Sequence, residues 1–315
     1  MPSIVFMGTP AFAVPSLKAL IDARYQVLAA VTQPDKPAGR GQKLQPPAVK
    51  VLAQEAGIPV LQPGRLRKEP ESVERIRALK PDAIVVVAFG QILPQDVLDI
   101  PPAGCINVHG SLLPAYRGAG PVQWALINGE RATGVTTMLM DAGMDTGPMF
   151  LKREMEILPD DDAGSLGARM SRIGADLLLE TLAPYFAGSL EARVQPAEGV
   201  SMAPMLKKEH GELDFAAPAV ALHSKVRGVT PWPGAYTLLG GEVLKVQKTS
   251  PLPEPGSGGA VPGVILDITK EGWIVATGEG RLLLRTIQLP GKRPQDAAEA
   301  ARGLRNLKPG TVLGL

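Results

Sequence analysis

Ala83-Ile84-Val85-Val86-Val87-Ala88-Phe89 decides the fold: seven residues without a polar side chain, rich in β-branched types. A strand with one wet face alternates apolar and polar residues. An unbroken apolar run is what a parallel sheet covered on both faces requires. Working outward, Ser3–Met7, Gln26–Thr32, Ile58–Leu61, Cys105–His109 and Val135–Met140 are further strand candidates. Helical patterns separate them at Ala13–Ala23, Ala48–Glu55, Glu71–Leu79, Pro121–Asn128 and Ser165–Phe186. This alternation predicts an α/β domain with an open, Rossmann-like, mostly parallel sheet, and a ligand at the carboxyl ends of its strands.

The texture changes after Phe186, where the periodicity gives way to Ala, Gly, Ser, Glu and Pro. We expect a catalytic domain over residues 1–189, a linker over 190–206 and a second domain over 207–315. In the last, five short apolar pieces (Tyr236–Leu239, Val243–Gln247, Gly263–Ile268, Trp273–Ala276, Arg281–Ile287) sit between Gly/Pro turns. Five short strands in about 100 residues suit an OB-fold-like β-barrel.

Of 315 residues, 45% are hydrophobic and 20% charged, with no apolar run long enough to span a bilayer. The opening residues lack the pattern of a signal peptide, and Cys105 has no cysteine to pair with, so a reducing cytoplasm is expected. Net charge is +2 but unevenly spread: residues 207–315 carry 14 Lys/Arg against 10 Asp/Glu, the first 206 residues 19 against 21. A mildly basic C-terminal part fits contact with a polyanion, and ordinary solvated charge accounts for it equally well.

Three stretches could carry chemistry. In Cys105-Ile-Asn107-Val-His109-Gly-Ser111, alternate side chains share a strand face, so Asn107 and His109 project together. An amide donor suits an oxyanion, and an imidazole moves protons near neutrality. The plainer reading is a pair that satisfies loop backbone groups. Thr133 to Pro148 delivers Asp141 and Asp145 into a Gly-rich loop. Asp145 could orient an imidazole, or both aspartates could close Asx turns. The third stretch, Thr32 to Pro47, is a long basic loop carrying Lys36, Arg40 and Lys43, with Gly39 and Gly41 beside the arginine. Such a loop can present a guanidinium to phosphate.

Other signals fail. Phe6-Met-Gly8-Thr-Pro10 lacks the GxGxxG spacing of a dinucleotide site, and no P-loop occurs. The His and Cys residues have no metal-ligand spacing, so no catalytic metal is expected. Cys105 reads as a buried inert thiol, His210 and His223 as surface or packing residues, and Trp124 as core.

Asn107-Val-His109-Gly-Ser-Leu-Leu-Pro-Ala-Tyr-Arg-Gly118 resembles the signature of the 10-formyltetrahydrofolate-dependent formyltransferase family, and Asp141-Ala-Gly-Met-Asp-Thr-Gly-Pro148 resembles its second motif. Phe6 to Leu17, Gln33 to Gly41 and Arg227-Gly-Val-Thr-Pro-Trp232-Pro-Gly-Ala235 look like the members that act on methionyl-tRNA, so the resemblance covers nearly the whole chain. It implies formyl transfer from 10-formyltetrahydrofolate to the α-amine of methionyl initiator tRNA. Asn107, His109 and Asp145 would be the catalytic trio. Ser111, Leu112, Leu113 and Pro114 would line the folate site, flanked by Phe89, Gly90, Gln91, Ile92 and Leu93 and by Asp141. Lys36, Arg40 and Lys43 would meet the tRNA, the C-terminal barrel would add a second contact, and the enzyme would act as a monomer. A sister enzyme with a small amine as acceptor, a non-catalytic tRNA-binding protein and a folate hydrolase stay open as alternatives.

Overall fold

The computed structural model describes residues 1–38, 43–252 and 259–315. Its N-terminal strands are β1 (Ser3–Gly8), β2 (Gln26–Val31), the short pair β3 (Lys36–Ala38) and β4 (Lys43–Gln45), β5 (Val60–Leu61), β6 (Ala83–Val87), β7 (Cys105–His109), β8 (Ala132–Leu139) and β9 (Met149–Glu156). Seven of them form one sheet in the order β5-β2-β1-β6-β7-β8-β9, while β3 and β4 pair with each other. The β1–β2, β1–β6, β2–β5 and β6–β7 pairs are parallel, and β7–β8 is antiparallel. Every residue of β6 and β7 is buried, as the unbroken apolar run requires.

One face of this sheet buries Val5, Met7, Ile84, Val86 and Cys105 against Val73 and Ile76 of the helix Pro70–Ala78 and against Phe89 and Val97. Each such aliphatic side chain contributes roughly 1.5–3 kcal/mol relative to exposure. The edge strand β9 was not expected from sequence. Its Lys152, Arg153, Glu154 and Glu156 break the apolar pattern, as charges on an edge strand often do.

The C-terminal strands are β10 (Ala235–Leu239), β11 (Glu242–Leu252), β12 (Ile265–Thr269), β13 (Gly272–Ala276), β14 (Arg281–Gln288) and β15 (Gln295–Asp296). They pair antiparallel in the order β10-β11-β14-β13-β12, with β15 on β14. Residues 311–315 join the two outer strands: Leu313 bridges Leu239 at the end of β10, and Val312 bridges Val264 just before β12. The ring of strands is thereby closed, which disposes of both edges. Trp273 is fully buried and donates its indole N–H to the Ala297 carbonyl at 2.6 Å.

The chain folds as two compact units whose boundaries interleave in sequence. Residues 1–121, 132–155 and 167–204 make the first, and 122–131, 156–166 and 205–315 the second. Ile157 N–H bonds the Arg131 carbonyl at 2.9 Å, and Arg227 donates to the carbonyls of Asp161 (2.6 Å) and Leu158 (2.7 Å), which gather those excursions into the second unit. Residues 190–204 fall within the first unit. Arg193 pairs with Met149, and Met202 with Arg117.

Candidate active site

Asn107 and His109 lie on one face of β7, as strand alternation demands, and are 8% and 5% exposed. The carboxylate of Asp145 reaches them from the loop after β8. Because β8 runs antiparallel to β7, this loop starts beside Cys105, where Met140 N–H bonds the Cys105 carbonyl at 2.8 Å, and folds back along β7. Asp145 Oδ1 lies 3.5 Å from Asn107 Nδ2 and 3.6 Å from His109 Nδ1, while Oδ2 accepts the Gly118 N–H at 2.8 Å. The backbone of Asp145 is left-handed, with φ of 53°, a conformation that Asp tolerates better than most residues.

His109 Nε2 lies 3.0 Å from the Tyr116 carbonyl. A carbonyl only accepts, so the ring carries a proton on Nε2 and turns Nδ1 toward Asp145. A proton gained at Nδ1 is then received beside a carboxylate. Both distances to Oδ1 are longer than a strong hydrogen bond.

The segment after β7 is held from several directions. Ser111 Oγ donates to the Ala115 carbonyl (2.6 Å), Thr136 Oγ1 donates to the Ser111 carbonyl (2.7 Å) and accepts the Leu113 N–H (3.1 Å), and Lys152 Nζ donates to the Leu113 carbonyl. Leu113 is buried against Met138 and Met149, Pro114 is buried, and Leu112 is half-buried. After the neighbouring parallel strand β6, the side chains of Phe89 and Leu93 lie in the core. Gln91 is occupied in the fold: its Oε1 accepts the Leu66 N–H and its Nε2 donates to the Pro63 carbonyl, both at 2.9 Å. Ile92 is 59% exposed and is the apolar surface this stretch offers. Since β6 and β7 are adjacent and parallel, residues 89–93 and 111–114 leave the sheet on the same side.

Asp141 takes the turn role. Its Oδ1 accepts the Gly143 N–H (3.0 Å) and the Thr146 hydroxyl (2.7 Å), shaping the loop that presents Asp145. Cys105 is buried, and burial, reinforced by Asp99, pushes its thiol up to about 12. Lys36 is exposed on β3, and Lys43 begins β4. Arg40 lies outside the described residues. At the base of this pair Asp35 accepts Lys50 Nζ at 2.8 Å on both oxygens and Gln62 Nε2 at 2.8 Å, which holds its carboxyl below the usual range. His210 packs edge-on against the half-buried Trp124 in the second unit, with centroids 5.6 Å apart. Among the described residues no group of three or more His, Cys, Asp or Glu side chains could hold a metal ion, and no helix is long and apolar enough to cross a membrane.

Sequence reading missed Gln195 and Arg117 at this site. Gln195 is 8% exposed, donates to the carbonyls of Asp145 and Gly147, and accepts from Arg117. A lone glutamine in a stretch rich in Pro, Glu and Gly carries no signal of this kind.

Asn107, His109 and Asp145 thus form one cluster beside the central strands of the α/β sheet, and among the described residues no metal ligand set stands with them. The formyl transferase family model matches residues 1–182, and the formyl transferase C-terminal domain model matches residues 205–305. The chain belongs to the formyl transferase family. Over 311 residues it is 54% identical to the methionyl-tRNA formyltransferase of Geobacter sulfurreducens, covering 99% of this chain and 96% of the relative. It is 47% identical to that of Myxococcus xanthus, covering 98% and 97%. Among solved structures, the sugar 3N-formyl transferase WlaRD, in the presence of dTDP and 5-N-formyl-THF, shares the fold with a TM-score of 0.69 at 17% identity, covering 93% of this chain and 99% of that one. HypX from Aquifex aeolicus in complex with tetrahydrofolic acid has a TM-score of 0.66 at 17% identity, covering 98% and 48%.

Proposed function

We propose that this protein transfers the formyl group of 10-formyltetrahydrofolate to the free α-amine of methionyl initiator tRNA, with Asn107, His109 and Asp145 as its catalytic groups. The observation that carries the reading is their convergence, within 3.6 Å, in a chain that matches methionyl-tRNA formyltransferases end to end at about half identity.

When bound, 10-formyltetrahydrofolate supplies an electrophilic formyl carbon on N10. Ile92 and the main chain of residues 89–93 and 111–114 suit a flat, partly polar ring: an apolar surface beside backbone donors and acceptors. The α-amine, with a reference pKa of roughly 8, keeps a usable neutral fraction near pH 7. As it attacks, the formyl oxygen gains negative charge, and the Asn107 amide N–H not turned to Asp145 is placed to donate to it. His109 adds its Nε2–H by releasing the Tyr116 carbonyl. The proton shed by the amine settles on His109 Nδ1, against Asp145, before it passes to the departing nitrogen.

The residues that carry the chemistry fall within 1–189, and residues 207–315 serve as the tRNA-binding part. Lys36, Arg40 and Lys43 present positive charge to the acceptor stem, in contacts that are mostly electrostatic and shape-driven. The protein works as a monomer in the cytoplasm, where its single buried thiol needs no partner.

The experiment supplies labelled formyl donor with methionyl-tRNA, with a glycinamide ribonucleotide, with an amino-sugar nucleotide, and with no acceptor. Label on the tRNA alone is expected. Label on a small amine, or free formate without an acceptor, would replace the reading with a sister transferase or a hydrolase.

A further inference from the structure

We propose that Gln195 is a positioning residue for formyl transfer: it fixes the backbone of Asp145 so that the carboxylate points at His109 and Asn107. The inference rests on the catalytic reading of Asp145 given above.

The side chain of Gln195 meets partners on every side. Its Nε2 donates to the Asp145 carbonyl and to the Gly147 carbonyl, both at 2.8 Å. Its Oε1 accepts Arg117 Nε at 3.1 Å and Nη2 at 2.7 Å. Those partners fix the orientation of the amide, because carbonyls only accept and a guanidinium only donates. Two donors and two acceptor positions are all used, in a side chain removed from water. A glutamine so placed acts as a bracket between the loop that carries Asp145 and the segment that carries Arg117.

Asp145 needs a bracket. Its left-handed φ of 53° is uncommon for a residue other than glycine and persists only where the surroundings impose it. Gln195 bonds Asp145 itself and the residue two further on. On the other side of the carboxylate stands Gly118, next in sequence to Arg117, the residue that Gln195 also holds.

The chain carrying Gln195 is itself pinned at both ends. Arg193 and Met149 exchange both backbone bonds at 2.7 Å, Arg117 N–H bonds the Ser201 carbonyl at 2.9 Å, and Ala203 N–H bonds the Arg117 carbonyl at 2.7 Å. Residues 193–203 therefore form a strap across the site, and Gln195 is its only side chain that meets Asp145 among the described contacts.

The test compares Gln195→Glu, Asp145→Ala and the double variant, reading kcat and the KM for the folate separately. Glutamate keeps an acceptor for Arg117 but turns a carboxylate on the two carbonyls. Displacement of a catalytic group by about 1 Å can cost on the order of 10²-fold. A fall in kcat of about that size is expected, with folate KM within about twofold and the double variant no slower than Asp145→Ala alone. A purely structural role would add its own loss in the Asp145→Ala background. If the glutamate variant folds poorly, Gln195→Met, of similar length and uncharged, is read in its place against the same folate KM. Wild-type kcat in the Gln195 variant, or losses that multiply in the double variant, would overturn the inference while leaving Asp145 catalytic. Wild-type kcat in Asp145→Ala would overturn the assignment of the carboxylate itself, and the bracket with it.

Discussion

The Gly118 N–H donates to Asp145 Oδ2 at 2.8 Å, so one carboxylate oxygen is anchored to main chain while the other faces Asn107 and His109. The position tolerates no side chain. Gly118 has φ of 121°, and a Cβ there would stand 2.7 Å from the Ala203 carbonyl oxygen. Gly118→Ala is expected to cost about 1–3 kcal/mol in stability and to lower turnover, because the N–H moves away from the carboxylate. Thermal unfolding with kcat on the same preparation checks it. An unchanged midpoint and rate would mean the backbone relaxes freely here.

Removing the donors on β7 should separate chemistry from binding. Asn107→Ala or His109→Ala is expected to lower kcat by on the order of 10²–10³, the usual effect of losing one donor to a developing oxyanion. Folate affinity, measured by calorimetry, should stay within about twofold of wild type. Near-normal turnover in both variants would remove these residues from the mechanism.

The thiol of Cys105 should be inert in the native protein. Burial and Asp99 raise it to about 12, so the thiolate is scarce below that pH. Iodoacetamide at pH 8 is expected to leave Cys105 unlabelled by mass spectrometry until denaturant is added. Stoichiometric labelling of active protein would show that the strand opens.

The basic stretch from Lys36 to Lys43 should matter to one substrate only. Arg40→Ala is expected to raise the KM for tRNA and to flatten its salt dependence by about 0.7–0.9 in log–log slope, as for one lost phosphate contact. Folate KM should not move. Asp35→Ala, which frees the start of β3 from Lys50 and Gln62, should act in the same direction. The Asp35 carboxyl is held below the usual range, so its contribution is present above the ordinary carboxylate pKa and fades as pH falls through the lowered value. Equal loss for both substrates would contradict this division.

Much of the architecture was legible because it rests on periodicity. The apolar run at residues 83–89 specified a strand buried on both faces, and Asn107 and His109 share a face by simple alternation. The charged edge strand β9 was hidden because its apolar residues are interrupted by Lys152, Arg153 and Glu154. The helix Ala219–Val229 buries Ala219, Leu222, Val226 and Val229 at helical spacing, but His223, Ser224 and Gly228 mask the pattern. The contact of Asp145 with β7 depends on a loop that doubles back, and Gln195 lies 50 residues from Asp145. Neither is a local property: the sequence offered Asp145 either as a carboxylate that could orient an imidazole or as a turn residue, the resemblance to a family gave it the catalytic role, and nothing pointed to Gln195.

The central claim is tested most directly by the rate of formyl transfer from 10-formyltetrahydrofolate to charged initiator tRNA, measured beside charged elongator methionyl-tRNA under the same conditions. Rapid formylation of the initiator with little of the elongator is the expected result. No transfer to either tRNA, with the folate still bound, would contradict the account and turn attention to small amines as acceptors.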